Sequence, residues 1–170
     1  MANAVEIDIS EGLEGVKETI ALMSRLVKQY KTNAYCNIVA RQALAMVPTR
    51  DAVAEVTALC EYVQRTVRYT SDTADTELII TPDLLLREVL AGDCDDMSLC
   101  LATLCECVGY KTRFVACGFV PGDLSHVFVQ VRLGGFDKSG RPKWMSLDAS
   151  EQMPPGWQAP DMKTCYVHHN

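Results

Sequence analysis

The stretch from Ala91 to Leu101, Ala-Gly-Asp-Cys-Asp-Asp-Met-Ser-Leu-Cys-Leu, constrains the fold more than any other part of the chain. A glycine turn gives way there to an apolar, helix-forming run whose first side chain is the thiol of Cys94. Asp93 has the chemistry of an N-cap, and Asp96, three residues on, can return the backbone hydrogen bond. At roughly 100° per residue, Cys94 shares a face with Met97, Ser98, Leu101, Cys105 and Val108, so the thiol opens the stripe that packs inward. A cysteine is thereby expected at the seam between a helix start and the core.

That position suits a nucleophile. The positive end of a helix favours a thiolate, and free N–H groups of the first turn can receive an oxyanion. Asp93, Asp95 and Asp96 oppose thiolate formation by like-charge repulsion, so the site requires a compensating cation, for which histidine is the usual choice. The competing reading makes Cys94 a small buried side chain beside an acidic helix start.

With 48% hydrophobic residues, 170 residues can form one core, and a single domain over 1–170 is expected. Within it, 1–70 reads as a helical layer, 71–150 as the catalytic core and 151–170 as a C-terminal tail. The formal net charge of −6 disfavours nucleic acid and anionic membranes as partners. No basic segment leads into an apolar one at the N-terminus, and no run has the length of a membrane span, so a cytoplasmic location is expected. Eight cysteines and three histidines raise the question of metal or disulfides. No C-x-x-C occurs, and most of the cysteines fall in apolar patterns that should bury them; neither zinc nor any other cofactor is expected.

Helices are predicted from about Asp8, with an Asp8/Glu11 capping box and a Leu13, Val16, Ile20, Met23, Val27, Tyr30 stripe; from about Asn33 to Met46; and over a third segment with Val53, Val56, Cys60, Val63 and Val67 on one face. Tyr69 to Glu77 reads as a loop, Leu78–Ile80 as a short extended piece, and Thr81-Pro82 as a helix start. After Gly109, the cap of the cysteine helix, apolar alternation predicts strands over Thr112–Phe119, Ser125–Leu133 and Trp144–Asp148, the last two forming a hairpin whose turn holds Gly134, Gly135 and Gly140. Pairing Leu133 with Arg141 sets Val131, Val129 and Val127 opposite Lys143, Met145 and Leu147, and puts His126 directly opposite Asp148 on the other face. A carboxylate on one ring nitrogen leaves the other for a thiol. Cys94, His126 and Asp148 are thus the candidate nucleophile, base and orienter.

These residues, in this order, resemble the transglutaminase-like superfamily of papain-like thiol enzymes. The resemblance runs through Gly92-Asp-Cys-Asp-Asp96, Val108-Gly-Tyr110, Arg113-Phe-Val115, Ser125-His-Val-Phe-Val129 and Trp144-Met-Ser-Leu-Asp148. Tyr69, Glu77 and Thr81-Pro82 are similar to small stand-alone members of bacteria and bacterial viruses. The family's frequent His-Ala-Trp is His126-Val-Phe here, and its Leu-Asp-Pro-Thr is Leu147-Asp-Ala-Ser150. The Cys94 N–H supplies one oxyanion donor, while Tyr69 reads as a phenol packed at a helix end in preference to the second.

The resemblance, together with the patterns, implies an α+β papain-like fold with N-terminal helices and the cysteine helix packed on a small antiparallel sheet. It implies a thiol enzyme acting on amide or peptide bonds of a peptide or protein substrate through an acyl-enzyme, mainly by hydrolysis. The alternatives are glutamine acyl transfer (cross-linking) and a catalytically silent structural or peptide-binding module. The viral setting, with viral structural proteins as partners and a bacterial host's cytoplasm as location, is implied by resemblance alone.

Overall fold

A computed structural model describes residues 10, 12–71 and 78–170. The predicted Asp8/Glu11 cap lies outside the described residues. Helix α1 spans Gly12–Tyr30 and buries Ile20, Met23 and Val27. Helix α2, Ala34–Ala43, is started by Asn33, whose side chain accepts hydrogen bonds from the Tyr35 and Cys36 N–H groups; it stops three residues before the expected Met46. Helix α3, Ala52–Thr66, is capped by Asp51 and buries Val56, Leu59, Cys60 and Val63, whereas Val53 in its first turn is exposed. A two-residue strand, β1 (Arg68–Tyr69), pairs in parallel with β2 (Ala91–Gly92). Between them a short helix, α4 (Pro82–Leu84), runs into a wide π-turn over Leu85–Val89, which ends at Leu90 in the left-handed region.

Helix α5, Cys94–Cys107, is the centre of the molecule. Every residue from Asp96 to Cys105 is buried, so this helix has no solvent face and the single inward stripe expected of it understates its burial. Helices α1, α2 and α3 cover one side of α5, and the sheet covers the other. Its C-terminus closes as a Schellman turn: the Tyr110 N–H donates to Cys105 O at 3.1 Å and the Gly109 N–H to Glu106 O at 3.2 Å. Gly109 has φ +94°, which a side chain would strain.

The sheet is antiparallel with order β5-β4-β3-β6, built from β3 (Thr112–Gly118), β4 (His126–Phe136), β5 (Pro142–Leu147) and β6 (Thr164–His169). Phe114, Ala116, Val127, Val129, Val131 and Leu147 belong to the main core with α5, while Val115, Cys117 and Phe128 form a second cluster under Met162 on the outer face. Two features depart from the sequence reading. The segment expected as a tail contains β6, which pairs with β3 from Arg113↔His169 to Gly118↔Thr164. In addition, the β4–β5 register is displaced by two residues: Val129 faces Leu147 and Val131 faces Met145.

The displacement has a local cause. Gly134 and Gly135, at φ +81° and +69°, lie inside β4 as an irregularity between Arg132 and Phe136 and not in the turn. The turn itself is tightened by Asp137, whose Oδ1 accepts from the Ser139 N–H, the Ser139 hydroxyl and the Arg141 N–H. Those bonds, the Ser139 hydroxyl first, hold the Asp137 carboxyl down at about 2. A shift of two preserves which face each side chain takes, so the apolar face survives the error.

Candidate active site

Cys94 is the first residue of α5, and the cap beneath it is reciprocal. Asp93 accepts from the Asp95 and Asp96 N–H groups at 2.9 and 3.2 Å, and Asp96 Oδ2 accepts from the Asp93 N–H at 3.4 Å. Asp96 is 1% exposed, and its other oxygen takes the Ile80 N–H at 2.7 Å, tying the segment before α4 to the start of α5. The turn can come this close only because residue 92 is glycine: a Cβ there would fall 2.6 Å from Asp96 Oδ2. The Gly-Asp-Cys-Asp-Asp sequence is therefore a packed structural unit that fixes where the thiol begins.

The Cys94 side chain is half-buried, and its pKa lies well above the ordinary thiol range. Burial is the largest cause, followed by the Asp95 charge; the Val127 N–H opposes them by stabilising the thiolate, and Asp93 adds a further upward push. The thiol donates to Asp95 Oδ1 at 3.7 Å. Among the described residues no hydrogen bond joins it to His126, although Val127, whose N–H meets the sulfur, is the next residue along β4.

His126 Nε2 lies 2.7 Å from Asp148 Oδ2. The two were expected directly opposite each other; the observed register makes them diagonal neighbours on one face, a separation that long side chains still bridge. Asp148 stands just beyond β5, with its side chain 6% exposed, and that of His126 is 16% exposed. The second carboxylate oxygen, Oδ1, accepts from the Ser150 N–H at 3.1 Å and the Ser150 hydroxyl at 2.8 Å. With both oxygens engaged, the carboxylate has one orientation, and it occupies Nε2 of the imidazole.

Several contributors went unread in the sequence. Ser150 had a signal, because Asp-x-Ser is the spacing of a side-chain-to-backbone turn. Gln64 of α3 had none: its Nε2 reaches the backbone oxygens of Asp148 at 3.0 Å and Glu151 at 2.7 Å, more than eighty positions away. Tyr69 is corrected. It is 51% exposed on β1, opposite Gly92, and is not packed at a helix end. The expectation that the remaining cysteines are buried fails at Cys165, which is exposed on β6, while Cys107 is only partly buried. Among the described residues no three His, Cys, Asp or Glu side chains gather as a metal site, and no helix is long and apolar enough to cross a membrane.

The architecture is that of an α+β domain in which a cysteine opens the central helix and a histidine–aspartate pair stands at the adjoining end of an antiparallel sheet. The chain belongs to the transglutaminase-like superfamily, whose sequence profile matches residues 38–149. Solved structures agree on the fold. A candidate protease from Parabacteroides distasonis superposes with TM-score 0.54 at 11% identity, over 96% of this chain and 36% of its own. A candidate cysteine protease from Cytophaga hutchinsonii gives 0.51 at 16% identity, over 85% and 51%. Calcium-bound LapG from Legionella pneumophila gives 0.53 at 13% identity, over 85% and 80%. The chain thus spans about a third of the first of these proteins and about half of the second. No curated protein matches the sequence. Family and fold together define a transglutaminase-like α+β domain.

Proposed function

We propose that the protein cleaves amide bonds by thiol catalysis, with Cys94 as nucleophile, His126 as base and then acid, and Asp148 as the group that orients His126. The observation that carries this reading is the 2.7 Å His126 Nε2–Asp148 Oδ2 contact, which leaves Nδ1 as the imidazole nitrogen open to a thiol. The thiol turns from Asp95 to Nδ1 and gives up its proton there. The thiolate attacks the carbonyl carbon, and the negative oxygen is received at the Cys94 N–H. The C–N bond breaks as the imidazolium protonates the leaving amine, and water activated by the same imidazole resolves the thioester to the acid and free thiol. Hydrolysis is favoured over transfer to an amine, because amine transfer needs a sheltered acceptor channel. The tail carrying Trp157, the part of the chain best suited to supply one, is instead drawn along β5 by the Gly156 N–H to Ser146 O bond and ends as β6.

The test is intact-mass spectrometry of the protein after exposure to a library of glutamine-containing peptides and an acyl probe. An adduct on Cys94 that is absent from Cys94→Ala supports the proposal, and a silent Cys94 refutes it. The Asp95 contact of the thiol, with its raised pKa, favours a second reading: a catalytically silent peptide-binding or structural module on the same fold, the outcome that a silent Cys94 would establish.

A further inference from the structure

The outer face of the sheet holds a groove of about 850 Å3, walled by β3, the β4–β5 hairpin and the returning tail. Its floor is organised around Arg113. The Arg113 Nε donates to Gln130 Oε1 at 2.8 Å, and Gln130 is itself held by a 3.0 Å bond from its Nε2 to the Ser146 hydroxyl. The guanidinium carbon lies 4.1 Å from the centre of the Trp144 ring, whose edge is met by His169 at 5.6 Å. Trp144 and Gln130 therefore fix the plane and direction of the guanidinium.

What this cation lacks is an anion. Among the described residues Arg113 makes no ion pair, and burial lowers its pKa with no neighbouring charge to offset the loss of water. Arg141 and Lys143 line the same groove, and the one carboxylate there, Asp137, is already spent on Ser139 and Arg141. A basic groove in a chain of net charge −6 is a local inversion of the overall field. Its size far exceeds what a single oxyanion fills.

We propose that this groove binds an acidic peptide segment, one carboxylate of which is received by Arg113. The chain's own acidity and the single aromatic plate argue against nucleic acid, which needs a continuous basic face and successive stacking surfaces. The site is separate from the chemistry at Cys94, so it stands or falls independently of the thiol reading.

The test uses the full chain carrying Trp157→Phe, which leaves Trp144 as the sole tryptophan and fluorescent reporter. A capped Glu-Gly-Glu-Gly-Glu peptide is expected to change that fluorescence saturably, with affinity falling as salt rises, and its Gln counterpart to give no change. Arg113→Gln is expected to weaken binding at least tenfold and Arg113→Lys less. Lys143→Gln, at an exposed position that the fold does not need, should weaken it severalfold with an unchanged circular dichroism spectrum. Equal response to the Gln peptide, or undiminished binding in both Arg113→Gln and Lys143→Gln, overturns the proposal. So does inorganic phosphate or a short single-stranded oligonucleotide binding as tightly as the Glu peptide.

Discussion

Replacing Gly92 with alanine tests whether the glycine turn really sets the position of the thiol. The added methyl would fall 2.6 Å from Asp96 Oδ2 and 2.7 Å from Asp96 Cβ, distances no side chain tolerates, and Asp96 is too deeply buried to swing into water. Moving it releases the Ile80 and Asp93 N–H groups at once. An orphaned buried donor costs about 1–3 kcal/mol, and loss of a cap about 1 kcal/mol. The sum is about 2–4 kcal/mol, a fall in Tm of about 5–15 °C at the ~2–4 °C per kcal/mol of a domain this size. Scanning calorimetry measures it, with Gly109→Ala as control. There the cost is backbone strain alone, since nothing lies within 4 Å of the added methyl, so a loss near 1 kcal/mol is expected. Cys94 alkylation should change in Gly92→Ala and stay as it was in Gly109→Ala. A Gly92→Ala protein melting within about 1 °C of the parent, with unaltered Cys94 reactivity, would refute the reasoning.

Asp95→Asn removes a charge that raises the Cys94 pKa and puts an amide N–H, able to donate to the thiolate, where only acceptors stood, so the midpoint of alkylation against pH should move down and the rate at pH 7 should rise; an upward move refutes the assignment of causes. His126→Ala should abolish turnover of any acyl substrate, while Asp148→Asn should lower kcat by at least tenfold and leave the fold intact by circular dichroism; equal activity in both variants would remove the pair from the mechanism. Limiting iodoacetamide should label the exposed Cys165 first, because burial raises Cys36 and Cys60 to about 12, Cys107 and Cys117 to about 11, and Cys94 well above the ordinary thiol range; peptide mapping that finds Cys60 labelled first contradicts this. With a labelled primary amine present at millimolar concentration, free acid should still exceed amine adduct in the product masses, and the reverse would make acyl transfer the activity.

Local chemistry was the legible part. The Asp93/Asp96 box and the Gly109 terminus lie within four positions of the backbone they serve, so the sequence carries both partners; the Asn33 and Asp51 caps are equally local but went unread. The β4–β5 faces were readable because alternation survives a displacement by two, whereas the register itself depended on whether Gly134 and Gly135 turn the chain or bulge it, which composition alone does not decide. β6 escaped because Thr164–His169 follows a segment rich in proline and carries three polar residues in six; its pairing comes from β3, fifty positions earlier. The Cys94–Asp95 contact was hidden for a different reason: a carboxylate at the second position of a helix normally faces water, and no pattern in the sequence marks this one as meeting its neighbour's sulfur.

The strand order gives His126 and Asp148 different mechanical footings. His126 opens an interior strand with hydrogen-bonded neighbours on both sides, while Asp148 follows an edge strand and its backbone oxygen is held from outside the sheet by Gln64 and Cys60 of α3. The pair therefore spans two cooperative units, and its alignment is only as durable as the docking of α3. Mild denaturant or warming that loosens α3 should detach the Asp148 turn while β3 and β4 remain intact. Hydrogen exchange would then show two tiers, with the amides after Leu147 opening together with those of α3, well below the free energy that unfolds the strands around His126.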